Sequence, residues 1–279
     1  MARRLADSHR TAFVTGASAG IGRSIAGMLA KEGIRVWGTS RSPSVHATAG
    51  GGGEPFPYSL VALDLADASS AVAAFERASA EAGGFDLVVN NAGYGVFGEF
   101  DGVPASVWRA QVDAMLGTVL CLSHSAYGSM RARGRGCLVN VASLATEFPL
   151  PYMAGYNVVK AGLSALSESL IFESRGTGIT VIDFRPGDTR TTFNQAMQTH
   201  SHGERGARAD RAWLGLEANL RSAPPPECAA QDLRRALLRG GSGVVRSGSF
   251  FQTRVAPLGA RILPASVMRS ITARYFGAA

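Results

Sequence analysis

Short apolar runs alternate along this chain with helix-length segments, and this alternation restricts the fold more than any other feature. The segments between the runs carry apolar residues at helical spacing, as in Ile21, Ile25 and Leu29. The runs have the length and composition of buried strands, at 12–15, 34–39, 60–64, 86–90, 137–142 and 179–184. Strands that alternate with helices predict an α/β fold of the Rossmann type: a doubly wound parallel sheet with helices on both faces.

The length and hydrophobicity of the chain predict one domain over residues 1–279. A chain of 279 residues, of which 46% are hydrophobic, suffices for one large core. The stretch 42–57 contains four consecutive glycines with prolines around them, which indicates a surface connection. The polar segment at about 191–226 ends in three prolines and predicts a flexible lid.

The C-terminal tail, at about 250–279, mixes large apolar residues with arginines. Such a tail needs a partner surface, and we expect it to pack on its own domain or against a second subunit. Peripheral contact with a membrane is the alternative, since basic amphipathic segments do either. Pro257 and Pro264 exclude one uninterrupted ideal helix in this tail.

Charge and cysteine content exclude several other functions. The net charge is +7, but the basic residues are spread without a dense tract, so we expect no nucleic-acid partner. The cysteines are three and scattered, with no cysteine or histidine spacing typical of zinc, so we expect no metal site. No signal-peptide core and no apolar run of about 18 residues is present, which predicts a cytoplasmic protein.

A glycine-rich loop follows the first predicted strand, at the point where a helix begins. Its sequence, Thr15-Gly16-Ala17-Ser18-Ala19-Gly20-Ile21-Gly22, permits a tight turn and a close approach of the backbone to a ligand. The helix that follows directs its N-terminal amides at a phosphate. We therefore predict a dinucleotide cradle, with the candidate cofactor-binding residues Gly16, Ser18, Gly20, Ile21 and Gly22. A purely structural strand-to-helix turn is the alternative.

The end of the second predicted strand indicates which dinucleotide is bound. NAD enzymes usually place an aspartate or glutamate there to hold the ribose 2′-hydroxyl, but this chain has Thr39-Ser40-Arg41. The planar guanidinium of Arg41 can pair with a 2′-phosphate, and Ser40 adds a second donor. These residues predict NADP(H) as the cofactor. The alternative is that Arg41 is only a solvated surface arginine.

Three side chains form a candidate catalytic set. Tyr156 and Lys160 are four residues apart at the start of a predicted helix, so their side chains share one face. A fixed cation favours the phenolate of a tyrosine, whose pKa is otherwise about 10. Ser143 ends the fifth predicted strand, at the sheet edge where ligands bind, and can donate to a substrate carbonyl oxygen. An exposed Tyr–Lys pair and a serine that only caps a turn are the alternatives.

Taken together, these motifs resemble the short-chain dehydrogenase/reductase family, from Thr11 to about Pro226. By this resemblance, Asp64-Leu65 contacts the adenine, Asn90-Asn91-Ala92-Gly93 forms a sheet-stabilising turn, and Pro186-Gly187 with Thr191 forms the loop on the nicotinamide side. The resemblance thus adds these candidate cofactor-binding residues to the glycine loop: Asp64, Leu65, Asn91, Ala92, Gly93, Tyr156, Lys160, Pro186, Gly187, Thr189 and Thr191.

The resemblance implies hydride transfer between the nicotinamide and a carbonyl or secondary alcohol of a small molecule. Tyr156 would exchange the hydroxyl proton, Lys160 would hold the nicotinamide ribose and lower the pKa of Tyr156, and Ser143 would orient the substrate oxygen. The apolar residues expected around the site favour a moderately apolar substrate, such as a lipid, terpenoid or polyketide-derived carbonyl; they are Phe148, Leu150, Tyr152, Met153, Phe193 and Trp213. Family resemblance also makes a homodimer or homotetramer the expectation.

One position departs from the family pattern. The family usually has a fourth catalytic residue, an asparagine, in the helix after the fourth strand, and Met115 stands there in this chain. A thioether cannot carry a proton relay through water as an amide does. The alternative function is therefore a sensor or scaffold that binds the cofactor but catalyses weakly.

Overall fold

The computed structural model describes residues 4–43, 56–193, 197–200 and 206–278. Most of the predicted surface connection at 42–57 lies outside these ranges, as does part of the predicted lid. The described strands are β1 Thr11–Val14, β2 Arg35–Ser40, β3 Ser59–Ala62, β4 Leu87–Asn90, β5 Val96–Phe97, β6 Gly136–Val141, β7 Ile179–Pro186, β8 Gln198–Thr199 and β9 Gly243–Ser247.

Helices and single helical turns connect these strands. The α-helices are α1 Gly20–Lys31, α2 Ala68–Ala82, α3 Ala105–Val112, α4 Thr118–Arg133, α5 Ala154–Glu173, α6 Ala207–Ser222, α7 Pro226–Arg239, α8 Ala256–Ile262 and α9 Ala265–Tyr275. Short 3₁₀ turns lie at Leu5–Asp7 and Leu144–Thr146, and π-helical turns at Asp113–Gly117 and Phe251–Val255. Among the helices in the described ranges, none has the length and apolarity needed to cross a bilayer.

A seven-stranded sheet with the order β3-β2-β1-β4-β6-β7-β9 forms the centre of the fold. All its neighbouring strands pair in parallel. The order reverses direction between β1 and β4, which places a ligand crevice beyond the carboxyl ends of these strands. The predicted doubly wound Rossmann-type sheet is confirmed.

Apolar side chains cover both faces of the sheet, as the alternation along β1 illustrates. Ala12 and Val14 face one cluster, which contains buried residues of α1 and α7, whereas Phe13 faces a second cluster with residues of α2, α4 and α5. Because successive side chains of a strand point to opposite faces, one short strand supplies both cores. The prediction of helices on both faces is thereby confirmed.

Several described elements were not predicted, among them the short strands β5 and β8, which pair in a separate two-stranded parallel sheet. Residues 207–222, inside the predicted lid, form the 16-residue helix α6, whose buried face contains Ala209, Ala212 and Leu216. The sequence did not indicate this amphipathic helix, because its buried residues are mostly small alanines and its composition is polar. The edge strand β9 was also not predicted, because it is short and mostly half-buried. As predicted, the tail is not one uninterrupted ideal helix: Pro257 lies in the first turn of α8, directly after a π-helical turn, and Pro264 lies at the break before α9.

Candidate active site

One cavity of about 960 Å³ brings together all the predicted site residues. It lies at the carboxyl ends of the central strands, the edge where an open α/β sheet binds ligands. The predicted residues that line it are Gly16, Ser18, Gly20, Ile21, Gly22, Ser40, Arg41, Asp64, Leu65, Asn91, Ala92, Gly93, Ser143, Tyr156, Lys160, Pro186, Gly187, Thr189 and Thr191.

The glycine loop forms one end of this cavity. Helix α1 begins at Gly20 after Ala19, which offers no side-chain cap, so the amides of its first turn have no side-chain acceptor at the N-cap. A Cβ atom on Gly22 would collide with the carbonyl oxygen of Gly16 and the side-chain amide of Asn91. Uncapped amides beside a tightly packed glycine turn form a site suited to a phosphate group.

Hydrogen bonds from the end of β4 hold the glycine loop in place. The Thr15 hydroxyl accepts from the backbone amides of Asn91 at 2.9 Å and Ala92 at 3.0 Å. The Asn91 side-chain amide donates to the Thr15 carbonyl oxygen at 2.9 Å. Asn91, which was predicted to bind the cofactor, therefore also positions the glycine loop.

Arg41 and Ser40 lie at the carboxyl end of β2, and both line the cavity. Arg41 is exposed, whereas Ser40 is buried and its hydroxyl accepts from the Ser42 amide at 3.2 Å. The neighbouring Thr39 also lines the cavity, and its hydroxyl accepts from the Gly16 amide at 3.1 Å. The sequence analysis did not select Thr39, because a threonine inside an apolar strand carries no motif.

Tyr156 and Lys160 lie on the first turns of α5, where the predicted spacing puts them side by side. The Lys160 ammonium donates to the Val141 carbonyl oxygen at 2.7 Å and lies 5.5 Å from the centre of the Tyr156 ring. Ser143 precedes the 3₁₀ turn after β6, and its hydroxyl accepts from the Ala145 amide at 3.1 Å. Ser143 thus caps a turn and also contacts Tyr156 through its side chain.

Burial governs the protonation of the pair. It raises the pKa of Tyr156 to about 12, against the lowering effect of the hydrogen bond with Ser143, and the negative charge of Asp188 adds to the rise. Burial also lowers the pKa of Lys160 to about 8, against the raising effect of Asp183. Desolvation disfavours the charged phenolate and the charged ammonium alike, so burial shifts both groups toward their neutral forms. The lowering of the Tyr156 pKa by Lys160 stays a prediction.

An ionic network of one buried and three partly exposed side chains lies next to Lys160. Arg185 on β7 pairs with Asp183 at 2.7 Å and with Glu147 at 2.8 Å, and Arg246 on β9 pairs with the same Glu147 oxygen at 2.8 Å. The Asp183 carboxylate also accepts from the Ser164 hydroxyl of α5 at 2.6 Å. These bonds tie β7, β9 and the segment after Ser143 to the helix that carries the catalytic candidates.

Met115 lies in the π-helical turn at Asp113–Gly117, and its thioether sulfur accepts from the Tyr94 backbone amide at 3.3 Å. Its side chain is buried and lines the cavity beside Gly93, on which a Cβ atom would lie 2.7 Å from the Met115 methyl. Met115 therefore supports the turn after β4. Turns of the π type often occur at functional sites, but no feature of the sequence indicated this one.

The far end of the cavity is apolar. Four of the predicted aromatic and aliphatic residues line it, namely Phe148, Leu150, Met153 and Phe193. Tyr152 and Trp213 do not: both pack against Phe97, with ring centres 5.6 Å and 5.0 Å away. The tail also contributes wall residues that the sequence analysis had not placed there, including Phe251, Val255, Leu263, Ile271 and Tyr275.

Asp188 connects this tail to the loop after β7. Its carboxylate accepts from the Tyr275 hydroxyl at 2.6 Å and from the Gln252 side-chain amide at 2.8 Å. Burial raises the pKa of Asp188, against the lowering effect of these two hydrogen bonds. Because all three residues line the cavity, the tail is part of the site.

Comparisons with known proteins identify a family and several relatives. A family model described as short chain dehydrogenase matches residues 10–202. An uncharacterized oxidoreductase of Myxococcus xanthus is 38% identical over 69% of this chain and 80% of its own length. A 3-ketodihydrosphingosine reductase of Bacteroides thetaiotaomicron is 27% identical over 88% and 87% of the two chains.

The solved structures include a close match to the whole fold. The crystal structure of a short-chain dehydrogenase from Streptomyces avermitilis superimposes with a TM-score of 0.76 and 25% identity, covering 95% of this chain and 96% of its own. The family match, the Myxococcus relative and this structure all lead to one conclusion. The chain belongs to the short-chain dehydrogenase/reductase family, whose members are oxidoreductases that use a nicotinamide cofactor on alcohol or carbonyl groups.

Proposed function

We propose that this protein is an NADP(H)-dependent oxidoreductase that reduces an apolar ketone or aldehyde, or catalyses the reverse reaction. The observation that carries the proposal is that the hydroxyls of Ser143 and Tyr156 and the ammonium of Lys160 line the same cavity as the uncapped start of α1. The groups for proton exchange and for phosphate binding therefore lie in the same cavity.

The residues at the glycine loop fit a dinucleotide. The amides at the start of α1 and the tightly packed Gly22 suit a pyrophosphate, since both a side-chain cap and a Cβ atom are absent there. Arg41 and Ser40 suit a 2′-phosphate, and an arginine stands directly after β2, where a carboxylate would hold a free 2′-hydroxyl. The exposed position of Arg41 leaves its guanidinium able to turn toward such a phosphate. These features support NADP(H) over NAD(H).

The protein's own groups would manage the proton and the geometry. When bound, the nicotinamide supplies or accepts the hydride at its C4 atom. The Tyr156 hydroxyl, kept protonated at neutral pH by burial, donates its proton to the oxygen of the carbonyl being reduced. Ser143 donates a second hydrogen bond to the same oxygen. Lys160, anchored on the Val141 carbonyl, holds the ribose and places a positive charge beside the phenol.

The apolar wall supports an apolar substrate. Phe148, Leu150, Met153 and Phe193 line the cavity, and the Phe193 ring centre lies 5.9 Å from that of Tyr156. A carbonyl on an aliphatic or cyclic carbon skeleton is therefore the substrate class we favour. The activity in the name of the Bacteroides relative, reduction of a ketone on a long-chain base, is of the same chemical kind.

We also propose that the chain is one domain and assembles as a homodimer or homotetramer. Exposed apolar residues on the long helices α4 and α5, namely Leu120, Val158 and Phe172, support a partner surface there. We retain the predicted lid role for the segment 191–226, because Thr191 and Phe193 line the cavity and α6 follows them.

The direct test is to titrate the purified protein with NADPH and NADH and then add a panel of ketones and aldehydes while following nicotinamide absorbance. We expect tighter binding of NADPH and its oxidation by apolar members of the panel. Binding without turnover across the panel would favour the sensor function, for which Met115 is the supporting feature. Absence of nucleotide binding would refute both.

A further inference from the structure

The C-terminal hairpin, defined here as residues 250–275, has apolar side chains on two sides. Residues on its inner side line the cavity, among them Val255, Leu263 and Ile271. On the outer side, Phe250 is 77% exposed and Ile262 is 71% exposed, and neither lines the cavity. Within the part of the chain that the structure describes, these outer side chains are exposed to solvent, and a cluster of exposed apolar residues commonly marks an interaction surface.

The charge of the hairpin has one sign. It contains four arginines and no aspartate or glutamate, and the sequence has no acidic residue after Asp232. Arg254, Arg269 and Arg274 are exposed on the same hairpin as the outer apolar residues. Large apolar side chains mixed with unopposed arginines are typical of segments that lie in the interface of an anionic bilayer.

We propose that the outer side of the C-terminal hairpin docks on an anionic lipid surface. Charge complementarity favours this partner over a second copy of the same hairpin, since a symmetric contact would bring like charges together. The apolar outer residues, Phe250, Leu258, Ile262 and Val267, would enter the boundary between headgroups and acyl chains, while the arginines contact the phosphates.

The position of the C-terminal hairpin bears on which substrates can reach the cavity. The hairpin is at once the outer apolar surface and a wall of the cavity, so docking would bring this wall against the membrane. Together with the proposed function, on which this step rests, the substrate class narrows to carbonyl compounds dissolved in the bilayer. The docking itself does not depend on catalysis and is tested separately.

Vesicle co-sedimentation with the full chain tests the docking. Vesicles of phosphatidylcholine alone are compared with vesicles that contain phosphatidylglycerol, at low and at high salt. We expect binding to the anionic vesicles that is at least about tenfold tighter than to the neutral ones and is weakened by salt. Equal binding to both compositions, or no binding to either, would overturn the proposal.

Two variants and two matched controls locate the contact. The double variant Phe250→Ser and Ile262→Ser should lose at least about tenfold in affinity for anionic vesicles, and Arg269→Gln should weaken the same binding. Phe100→Ser, which changes a phenylalanine that is 73% exposed elsewhere, and Arg77→Gln, on α2, should leave it unchanged. Equal losses in variants and controls would overturn the assignment to the hairpin.

Two further readouts separate this inference from the proposed function. The double variant should keep its turnover of a water-soluble carbonyl, because Phe250 and Ile262 do not line the cavity. Failure of turnover in the unmodified protein would therefore count against the proposed function and leave the vesicle result standing. If the double variant instead converts an oligomer to a monomer and vesicles are never bound, the hairpin is a subunit interface and the docking proposal is wrong.

Discussion

Replacement of Arg41 by alanine should weaken NADPH binding and leave NADH binding nearly unchanged. Arg41 lines the cavity at the end of β2, and its guanidinium is the group we assign to the 2′-phosphate that only NADPH carries. A hydrogen bond to a charged group contributes about 1.5–3 kcal/mol. Because Arg41 is exposed, solvent screening favours the low end of this range, about 1.5 kcal/mol. That free energy corresponds to roughly a tenfold rise in Kd for NADPH.

The assay is equilibrium titration of both nucleotides by nicotinamide fluorescence or by calorimetry. Arg35→Ala is the matched control, since Arg35 is also exposed on β2 and carries the same charge, but it starts the strand, packs over Trp37 and does not line the cavity. An equal loss for NADPH and NADH would show that Arg41 does not contact a 2′-phosphate. An equal effect of Arg35→Ala would show that the loss reflects net charge alone.

Three further changes test the site and its support. Gly22→Ala should abolish most nucleotide binding in a titration, because the new Cβ collides with the loop backbone. The control Gly27→Ala, in the same helix, meets open space and should stabilise the protein by about 0.5–1 kcal/mol. Equal effects of the two variants on nucleotide binding would contradict the dinucleotide cradle. Carbonyl reduction at saturating NADPH should fall as the pH rises above about 8, since burial lowers the pKa of Lys160 to about 8 and the charged form of Lys160 is lost above that pH. A rate that stays constant until the pH at which tyrosines titrate would contradict this role of Lys160. Glu147→Ala leaves Arg185 and Arg246 without their shared carboxylate. Because all three side chains are partly exposed, we expect a loss of about 2 kcal/mol in the free energy of unfolding, or roughly 4–8 °C in Tm. An unchanged melting curve would show that the network contributes nothing to stability.

The sequence predicted the sheet and the position of the site because these features depend on local patterns. Apolar runs marked the central strands, and Gly16–Gly22, Ser143, Tyr156 and Lys160 fall at strand ends and helix starts, where the parallel topology gathers them at one edge. The spacing of Tyr156 and Lys160 also fixed their common helix face without further information.

Other parts of the site depend on contacts between distant segments, which no local pattern encodes. The hydrogen bonds of Asp188 with Tyr275 and Gln252 join residues 87 and 64 positions apart, and they bring the tail into the cavity wall. Helix α6 was missed because its buried face consists largely of alanines. The raised pKa of Tyr156 follows from burial in the folded chain, whereas the sequence showed only the neighbouring lysine.

The central claim is that the Tyr156 hydroxyl exchanges the proton during hydride transfer, and comparison of two tyrosine variants tests it most directly. Tyr156→Phe removes the proposed acid, and Tyr127→Phe removes a buried hydroxyl for which the described part of the chain offers no hydrogen-bond partner. With NADPH and an apolar carbonyl that the unmodified protein reduces, we expect Tyr156→Phe to retain nucleotide binding and to lose about 10²–10⁴-fold in kcat, while Tyr127→Phe keeps its activity. Turnover by Tyr156→Phe at the rate of the unmodified protein would contradict the assignment.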